Sequence, residues 1–272
     1  MVYSYFSRNG AILPIEQAVV PLGNVEYSYG FGVYETIRVS KGTAYFLEEH
    51  CRRLMESARI ISLAHPFSVD SVQAAAEKLL AKNNAETCNL KVLLIGAPAK
   101  EAATLDIMCL NPLFPDRKLY ANGAACVTYN YERDLPGAKT LNMLPSYLAY
   151  RQAAAAGAYD ALLVNRQGCI TEGTRTNFFA IKDRTLVSPK AKDILPGVTR
   201  GHVIKVARQQ GFKLIEQDIP LSNIDEFDGA FLTSTPIKIM PIRSIGQHAW
   251  QTIPPTLYEL MAAFDEFLRA WR

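Results

Sequence analysis

The chain's punctuation constrains its fold most: short runs of strand formers, each stopped by a glycine or proline turn, alternate with longer amphipathic runs over 272 residues. Gly32 to Val39, GVYETIRV, is rich in β-branched and aromatic residues and stops at Ser40-Lys41-Gly42. Thr43 to Leu47 resumes that character, which predicts a hairpin. Glu48 to Leu63 predicts a helix, acidic at its start, with Leu54, Ala58 and Ile61 on one stripe. A second helix is expected over Ser71 to Lys82, capped by Asp70, and strands over Leu90 to Ile95 and Thr104 to Leu110.

Asn111 to Arg117 carries Pro112 and Pro115 and has no period. It suggests a boundary: a small α/β domain over 1–113, a linker over 114–121 and a larger domain over 122–272. Beyond it the reading gives a strand at Ala124 to Tyr129 and a helix from Pro145 to Ala156. Strands follow at Asp160 to Asn165, Cys169 to Thr171, Asn177 to Ile181 and Thr185 to Ser188. A helix from Thr199 to Gln210 should stop at Gly211. Strands at Phe212 to Glu216 and Ala230 to Thr233, then a helix from Pro255 to Trp271, complete the chain.

Bulk composition excludes some classes. A net charge of +3, with no basic run longer than Arg52-Arg53, does not imply a nucleic-acid surface. Cys51, Cys88, Cys109, Cys126 and Cys169 lack the spacing of a zinc clip or disulfide framework, so buried free thiols are expected and no metal. No window approaches the ~20 apolar residues of a membrane helix. MVYSYFSRNG lacks the pattern of a signal peptide, so a cytoplasmic protein is expected.

Five short segments could carry chemistry. Lys139 lies between the Pro136-Gly137 turn and an apolar stretch. An amine in a partly apolar site loses hydration of its charged form, as a Schiff-base nucleophile requires. Taken alone, a solvated lysine is the commoner reading. Leu195-Pro196-Gly197-Val198-Thr199-Arg200 leads into a helix whose free N–H groups would suit a phosphate; a plain start capped by Thr199 is the bland alternative. Thr233-Ser234-Thr235-Pro236 puts hydroxyls at a strand end, for an anion or simply for a polar loop. Glu172 and Arg175 sit three residues apart, either as a surface ion pair or with the carboxylate on a pyridine nitrogen. Arg53 could fork onto a phosphate or lie on the surface; His50 reads as structural.

Order and spacing together say more than any one segment. Gly30-Phe31-Gly32-Val33-Tyr34-Glu35-Thr36-Ile37-Arg38 precedes His50…Arg53-Leu54…Ser57-Ala58 and Lys139…Asn142. Then come Thr171-Glu172-Gly173…Asn177, Leu195-Pro196-Gly197-Val198-Thr199-Arg200 and Thr233-Ser234-Thr235…Pro241. Over nearly its whole length the chain resembles the class IV (fold type IV) pyridoxal-phosphate enzymes: branched-chain aminotransferases, D-amino acid transaminases and aminodeoxychorismate lyases. The resemblance implies a two-domain α/β (α+β) fold, a small α/β domain with a larger domain built on a many-stranded pseudo-barrel. It implies pyridoxal 5'-phosphate as cofactor and a homodimer. Lys139 matches the Schiff-base lysine and Glu172 the partner of the pyridine nitrogen. Arg53, the amides of Val198 and Thr199, and Thr235 match the phosphate cup; Leu195 matches the residue on the ring face. Tyr29 matches a position reaching the partner subunit's site. Tyr34 and Lys91 match strand positions lining the pocket, and Ser234 and Pro236 fall on its substrate side. The implied reaction is ping-pong transamination between an amino acid and a 2-oxo acid through Lys139.

Members of the family differ at telling positions. The Arg-x-His carboxylate trap of Bacillus-type D-amino acid transaminases is absent from Gly96-Ala97-Pro98-Ala99-Lys100-Glu101. Branched-chain enzymes typically have arginine where Lys91 stands and tyrosine where Met143 stands. Lyases usually place asparagine within the segment matching Thr233-Ser234-Thr235, so that segment is similar to a transaminase while Lys91 is similar to the lyases. Arg175 replaces a small residue of many relatives and could grip a substrate α-carboxylate. A transaminase is favoured, with 4-amino-4-deoxychorismate lyase as the alternative. A cofactor-free anion-binding protein is a remote third reading, disfavoured by the presence of both Lys139 and Glu172.

Overall fold

Alternation along Gly32–Ser40 gives one face to a core through Val33, Ile37 and Val39, and the other to Tyr34, Thr36 and Arg38. In the computed structural model, which describes residues 3–112 and 114–271, this run belongs to a six-stranded antiparallel sheet. Its strands are β1 (Tyr5–Arg8), β2 (Ala11–Pro14), β3 (Gly32–Ser40), β4 (Thr43–Ala44), β5 (Thr87–Ile95) and β6 (Thr104–Leu110), ordered β2-β1-β6-β5-β3-β4. Three α-helices accompany it: α1 (Val25–Ser28), α2 (Leu47–Ile60) and α3 (Val69–Asn83). The latter two bury Leu54, Ala58, Val72 and Leu79 with Ile37, Leu90, Val92 and Ile107. Each large apolar side chain so buried contributes about 1.5–3 kcal/mol.

Several details depart from expectation. β4 is two residues long, because Phe46 takes a left-handed φ of 57° and turns the chain into α2. The cap of α3 is Ser68, not Asp70. Ser68 Oγ accepts from Ser71 N (3.2 Å) while Ser71 Oγ accepts from Ser68 N (2.9 Å), which satisfies two backbone donors at once. The β1–β2 hairpin was not foreseen; Asn9 and Gly10 form its turn, both at positive φ.

The chain forms two compact units, Met1–Leu113 with Ala138–Met143, and Phe114–Gly137 with Leu144–Arg272. Across most of the stretch expected as a linker and one residue past its end, Arg117–Asn122 forms helix α4, capped by Asp116, whose carboxylate accepts from Lys118 N (2.9 Å). Ala138–Met143 joins the first unit because it pairs with β3. Tyr34 N donates to Lys139 O (2.9 Å), Leu141 N donates to Gly32 O (2.8 Å), and Val33 bridges Thr140.

The second unit continues with β7 (Ala124–Asn130), α5 (Leu144–Ala155), β8 (Asp160–Val164), β9 (Cys169–Gly173), β10 (Asn177–Lys182) and β11 (Thr185–Ser188). It then runs through α6 (Val198–Gln209), β12 (Lys213–Glu216), β13 (Ile219–Pro220), β14 (Gly229–Ser234), β15 (Lys238–Ile245), β16 (His248–Ala249) and α7 (Pro255–Ala270). The sheet order is β12-β11-β10-β14-β15-β7-β8-β9-β13, with β16 on β15. One further pairing, Glu172 against Asn177, joins β9 to β10 and closes the strands between them into a barrel. Phe178, Leu162, Leu232 and Met240 are among its core. The cysteines are free and buried. Among the described residues no helix is long and apolar enough to cross a membrane, and no cluster of His, Cys, Asp or Glu suits a metal.

Candidate active site

In the first unit, two glycines let the Lys139 segment lie close to the sheet. Gly30 has a φ of +69°, and a Cβ there would sit 3.3 Å from Asn142 N. A Cβ on Gly32 would meet Leu141 Cδ1 at 2.7 Å and Leu94 O at 2.8 Å. The main chain of Lys139 is held from α2 as well, its N–H donating to Ser57 Oγ (3.1 Å). The half-buried Lys139 amine lies 4.5 Å from the centroid of the Tyr34 ring. Lys91 Nζ lies 3.8 Å from the same centroid. Burial, and then the neighbouring Lys139, push the Lys91 amine down to about 8 against the pull of Glu35. Tyr29, at the end of α1, is 82% exposed.

Glu35 was not singled out by sequence, although its signal is there: an acid standing in the inward stripe Val33, Ile37, Val39. It is 1% exposed. Arg53 Nε donates to its Oε1 (2.6 Å) and Arg53 Nη2 to its Oε2 (2.7 Å), while His50 Nδ1 lies 2.8 Å from Oε2. Burial raises the Glu35 carboxyl's pKa, but Arg53 and His50 outweigh it and hold the group well below the carboxylate range. Burial lowers His50 against the pull of Glu35. The structure thus places the Arg53 fork on a buried carboxylate, with His50 as a second support.

In the second unit, Glu172 is the penultimate residue of β9 and lies opposite Asn177. Its Oε1 accepts from Arg133 Nη1 (2.9 Å) and its Oε2 from Leu195 N (3.2 Å). Asn177 Nδ2 donates to Leu195 O (2.8 Å). Both polar groups of the Leu195 peptide frame are therefore gripped from the barrel. A Cβ on Gly197 would collide with Asn177 Oδ1, so only glycine fits. Gly197 occupies the cap position before α6 and offers no side-chain cap, and the helix's first residues, Val198 and Thr199, are buried; Thr199 does not act as the cap. Thr233 Oγ1 is buried without a partner. Ser234, Thr235 and Pro236 are half-buried at the turn from β14 to β15. Arg133, which gives Glu172 its ionic partner, was not anticipated; a lone arginine in the loop after β7 carries no pattern.

Arg175 is exposed, with its Cζ 4.2 Å from the centroid of the Tyr150 ring. Asp160, 3% exposed at the start of β8, was also missed. Burial pushes its carboxyl up, opposed by hydrogen bonds from Thr174, Thr176 and Ala161 and by the charge of Arg175.

The class IV amino-transferase family matches residues 32–245 of this sequence. A D-alanine aminotransferase of Listeria monocytogenes serotype 4b is 31% identical over 249 residues, covering 87% of this chain and 86% of its own. A branched-chain amino acid aminotransferase from T.th., solved with pyridoxamine 5'-phosphate, superposes with a TM-score of 0.91 at 26% identity, covering 100% of this chain and 96% of its own. An Escherichia coli branched-chain amino acid aminotransferase gives 0.90 at 25% identity, covering 97% and 94%. The chain belongs to the class IV aminotransferases, fold type IV enzymes that use pyridoxal phosphate. The residues here suit that group chemically. Lys139 has an amine with no acid partner among the described residues, Glu172 is oriented by two donors, α6 starts uncapped, and Thr233 holds an unpaired buried hydroxyl.

Proposed function

We propose that Lys139 carries the cofactor and moves the proton of the reaction. We further propose that the chain exchanges amino groups, in two half-reactions, between amino acids of the branched-chain or D-amino acid class and 2-oxo acids. The observation that carries this is the Lys139 amine, half-buried on the Tyr34 ring and unpaired with any acid among the described residues, in a chain of this family. When bound, pyridoxal phosphate supplies a carbonyl carbon for the substrate amine and a protonated ring that draws electrons from the substrate Cα. Lys139 Nζ, neutral, takes the Cα proton and, charged, gives one back. Glu172, turned by Arg133 and Leu195, receives the ring nitrogen. The amides of Val198 and Thr199 and the Thr235 hydroxyl hold the phosphate together with Arg53, whose Nε and Nη2 are anchored on Glu35, and Leu195 packs on the ring. Arg175 grips the substrate carboxylate, while Tyr34, Lys91, Ser234 and Pro236 line the substrate side. Tyr29 serves the partner subunit of a homodimer acting in the cytoplasm.

The test is a half-reaction screen of purified protein with single L- and D-amino acids, read by loss of the cofactor's visible band. One equivalent of 2-oxo acid per bleached site supports transamination. Pyruvate release from aminodeoxychorismate without a second substrate would replace it with the lyase. Lys139→Ala should lose both the band and turnover; full turnover in that variant refutes the assignment.

A further inference from the structure

An exposed arginine is usually a mobile one, because its long side chain loses rotamer freedom when held. Arg175 is different: it is exposed, but Thr174 and Thr176 on either side of it are buried. Both are tied to a single carboxylate. Asp160 Oδ1 accepts from Thr174 Oγ1 (2.5 Å), Thr174 N (3.2 Å) and Ala161 N (2.9 Å), and Asp160 Oδ2 accepts from Thr176 Oγ1 (2.9 Å). The turn is also closed by its backbone, Gly173 N donating to Thr176 O (2.9 Å). A Cβ on Gly173 would lie 2.6 Å from Asp160 Oδ2 and collide with Thr176 Oγ1, so the turn is packed onto the acid with no room to spare. At the other end, the Tyr150 ring of α5 lies 4.2 Å from the Arg175 guanidinium carbon. The base of this arginine is therefore tethered through its neighbours and its tip rests against a ring, and a preordered donor binds an anion at lower entropic cost.

We propose that Asp160 and Tyr150 are positioning residues that determine substrate affinity by holding Arg175 as a preformed carboxylate receptor. Asp160 acts from below, through the two threonine hydroxyls, and never touches the substrate. Tyr150 aims the guanidinium and leaves its N–H edge for the ligand. This rests on the carboxylate-gripping role proposed above for Arg175.

The experiment uses holoenzyme and 4-methylpentanoate, a monocarboxylate that has no amine or oxo group to react. Its affinity is measured by titration calorimetry, beside KM and kcat for the best amino donor. Thr176→Val removes one tether, Thr174→Val the other, and Tyr150→Leu the ring. Each should weaken the probe and raise KM by about tenfold, the scale of misaligning a hydrogen bond to a charged group, with kcat and the visible band kept. In an Arg175→Met background the same changes should add nothing, since their effect runs through Arg175. If Arg175→Met weakens the probe but Thr176→Val and Tyr150→Leu do not, the positioning proposal falls and the role of Arg175 stands. If the losses add in the double variants, the proposal also falls. If Arg175→Met leaves probe affinity and KM unchanged, the carboxylate role itself is wrong and this inference goes with it. Should Thr174→Val fail to fold, Thr176→Val and Tyr150→Leu still decide the matter.

Discussion

Replacing Lys91 with methionine should make the protein more stable below pH 8. Burial and the neighbouring Lys139 lower the Lys91 amine from 10.5 to about 8. At about 1.4 kcal/mol per unit, a protonated Lys91 costs the fold about 3 kcal/mol. The Tyr34 ring, 3.8 Å from Nζ, returns about 0.5–2 kcal/mol of that as a cation–π contact. Methionine keeps the aliphatic stem and drops the charge, so the net gain is about 1–3 kcal/mol. In a chain of this size that is a shift of about 3–9 °C in melting midpoint. The sign follows from proton counting. Below pH 8 the amine is charged in both states and the cost is complete. Between pH 8 and 10.5 the folded protein has shed the proton and the unfolded chain has not, so native stability rises with pH. Above 10.5 the cost is gone. Thermal melts at pH 7 and pH 10.5, followed by circular dichroism, should show Lys91→Met ahead at the lower pH and level at the higher. A variant less stable at pH 7, or a gain indifferent to pH, would refute the picture of two amines crowding one ring.

Three other substitutions test the supports of the site. Glu35→Gln leaves the Arg53 guanidinium buried without its anion and should cost about 3–5 kcal/mol in urea melts. Because the Glu35 carboxyl is held low, its contribution is complete above the unfolded value of 4.5 and is lost progressively as pH falls from there through the folded value, so the variant's stability should depend less on pH across that acid range. Gly197→Ala drives a Cβ into Asn177 Oδ1 and should speed cofactor loss on dialysis without changing the circular dichroism spectrum. Gly32→Ala pushes on Leu141 and on Leu94 O, an overpacking worth about 1–3 kcal/mol. It should lower cofactor content and kcat together; full values of both would mean that the seat of Lys139 does not depend on this contact.

What could be read in the sequence was whatever local pattern encodes. The stripe Leu54, Ala58 marks the buried face of α2, and Gly211, at a φ of 77°, marks the end of α6. Asn9-Gly10 is a plain hairpin signal, since two residues at positive φ suit the twist of a tight β-turn. Strand β15 was hidden by Pro241, which reads against a strand interior and yet sits opposite Phe231 in the sheet. The capping of α3 by Ser68 rather than Asp70 was a choice between two good caps, decided by which could reciprocate with Ser71.

The supports of the candidate site were less legible for a physical reason. Lys139 and Glu172 stand in motifs, but what orients them comes from far along the chain: Ser57 for Lys139, 82 residues away, and Arg133 for Glu172, 39 residues away. No local period can report such pairs. A different sign was available, a polar residue standing where the pleat or its neighbours demand burial. Glu35 in the stripe Val33, Ile37, Val39 is one case, and Asp160 at the head of the fully buried run Asp160–Val164 is another. A charge costs several kcal/mol to bury unless partners surround it, so each such residue requires a set of donors before the donors can be named. Arg53 and His50 answer the first requirement, and Thr174 and Thr176 the second. In both places the acid holds an arginine or the turn that bears one, so a misplaced acid in the sequence points to where an arginine is being held for use.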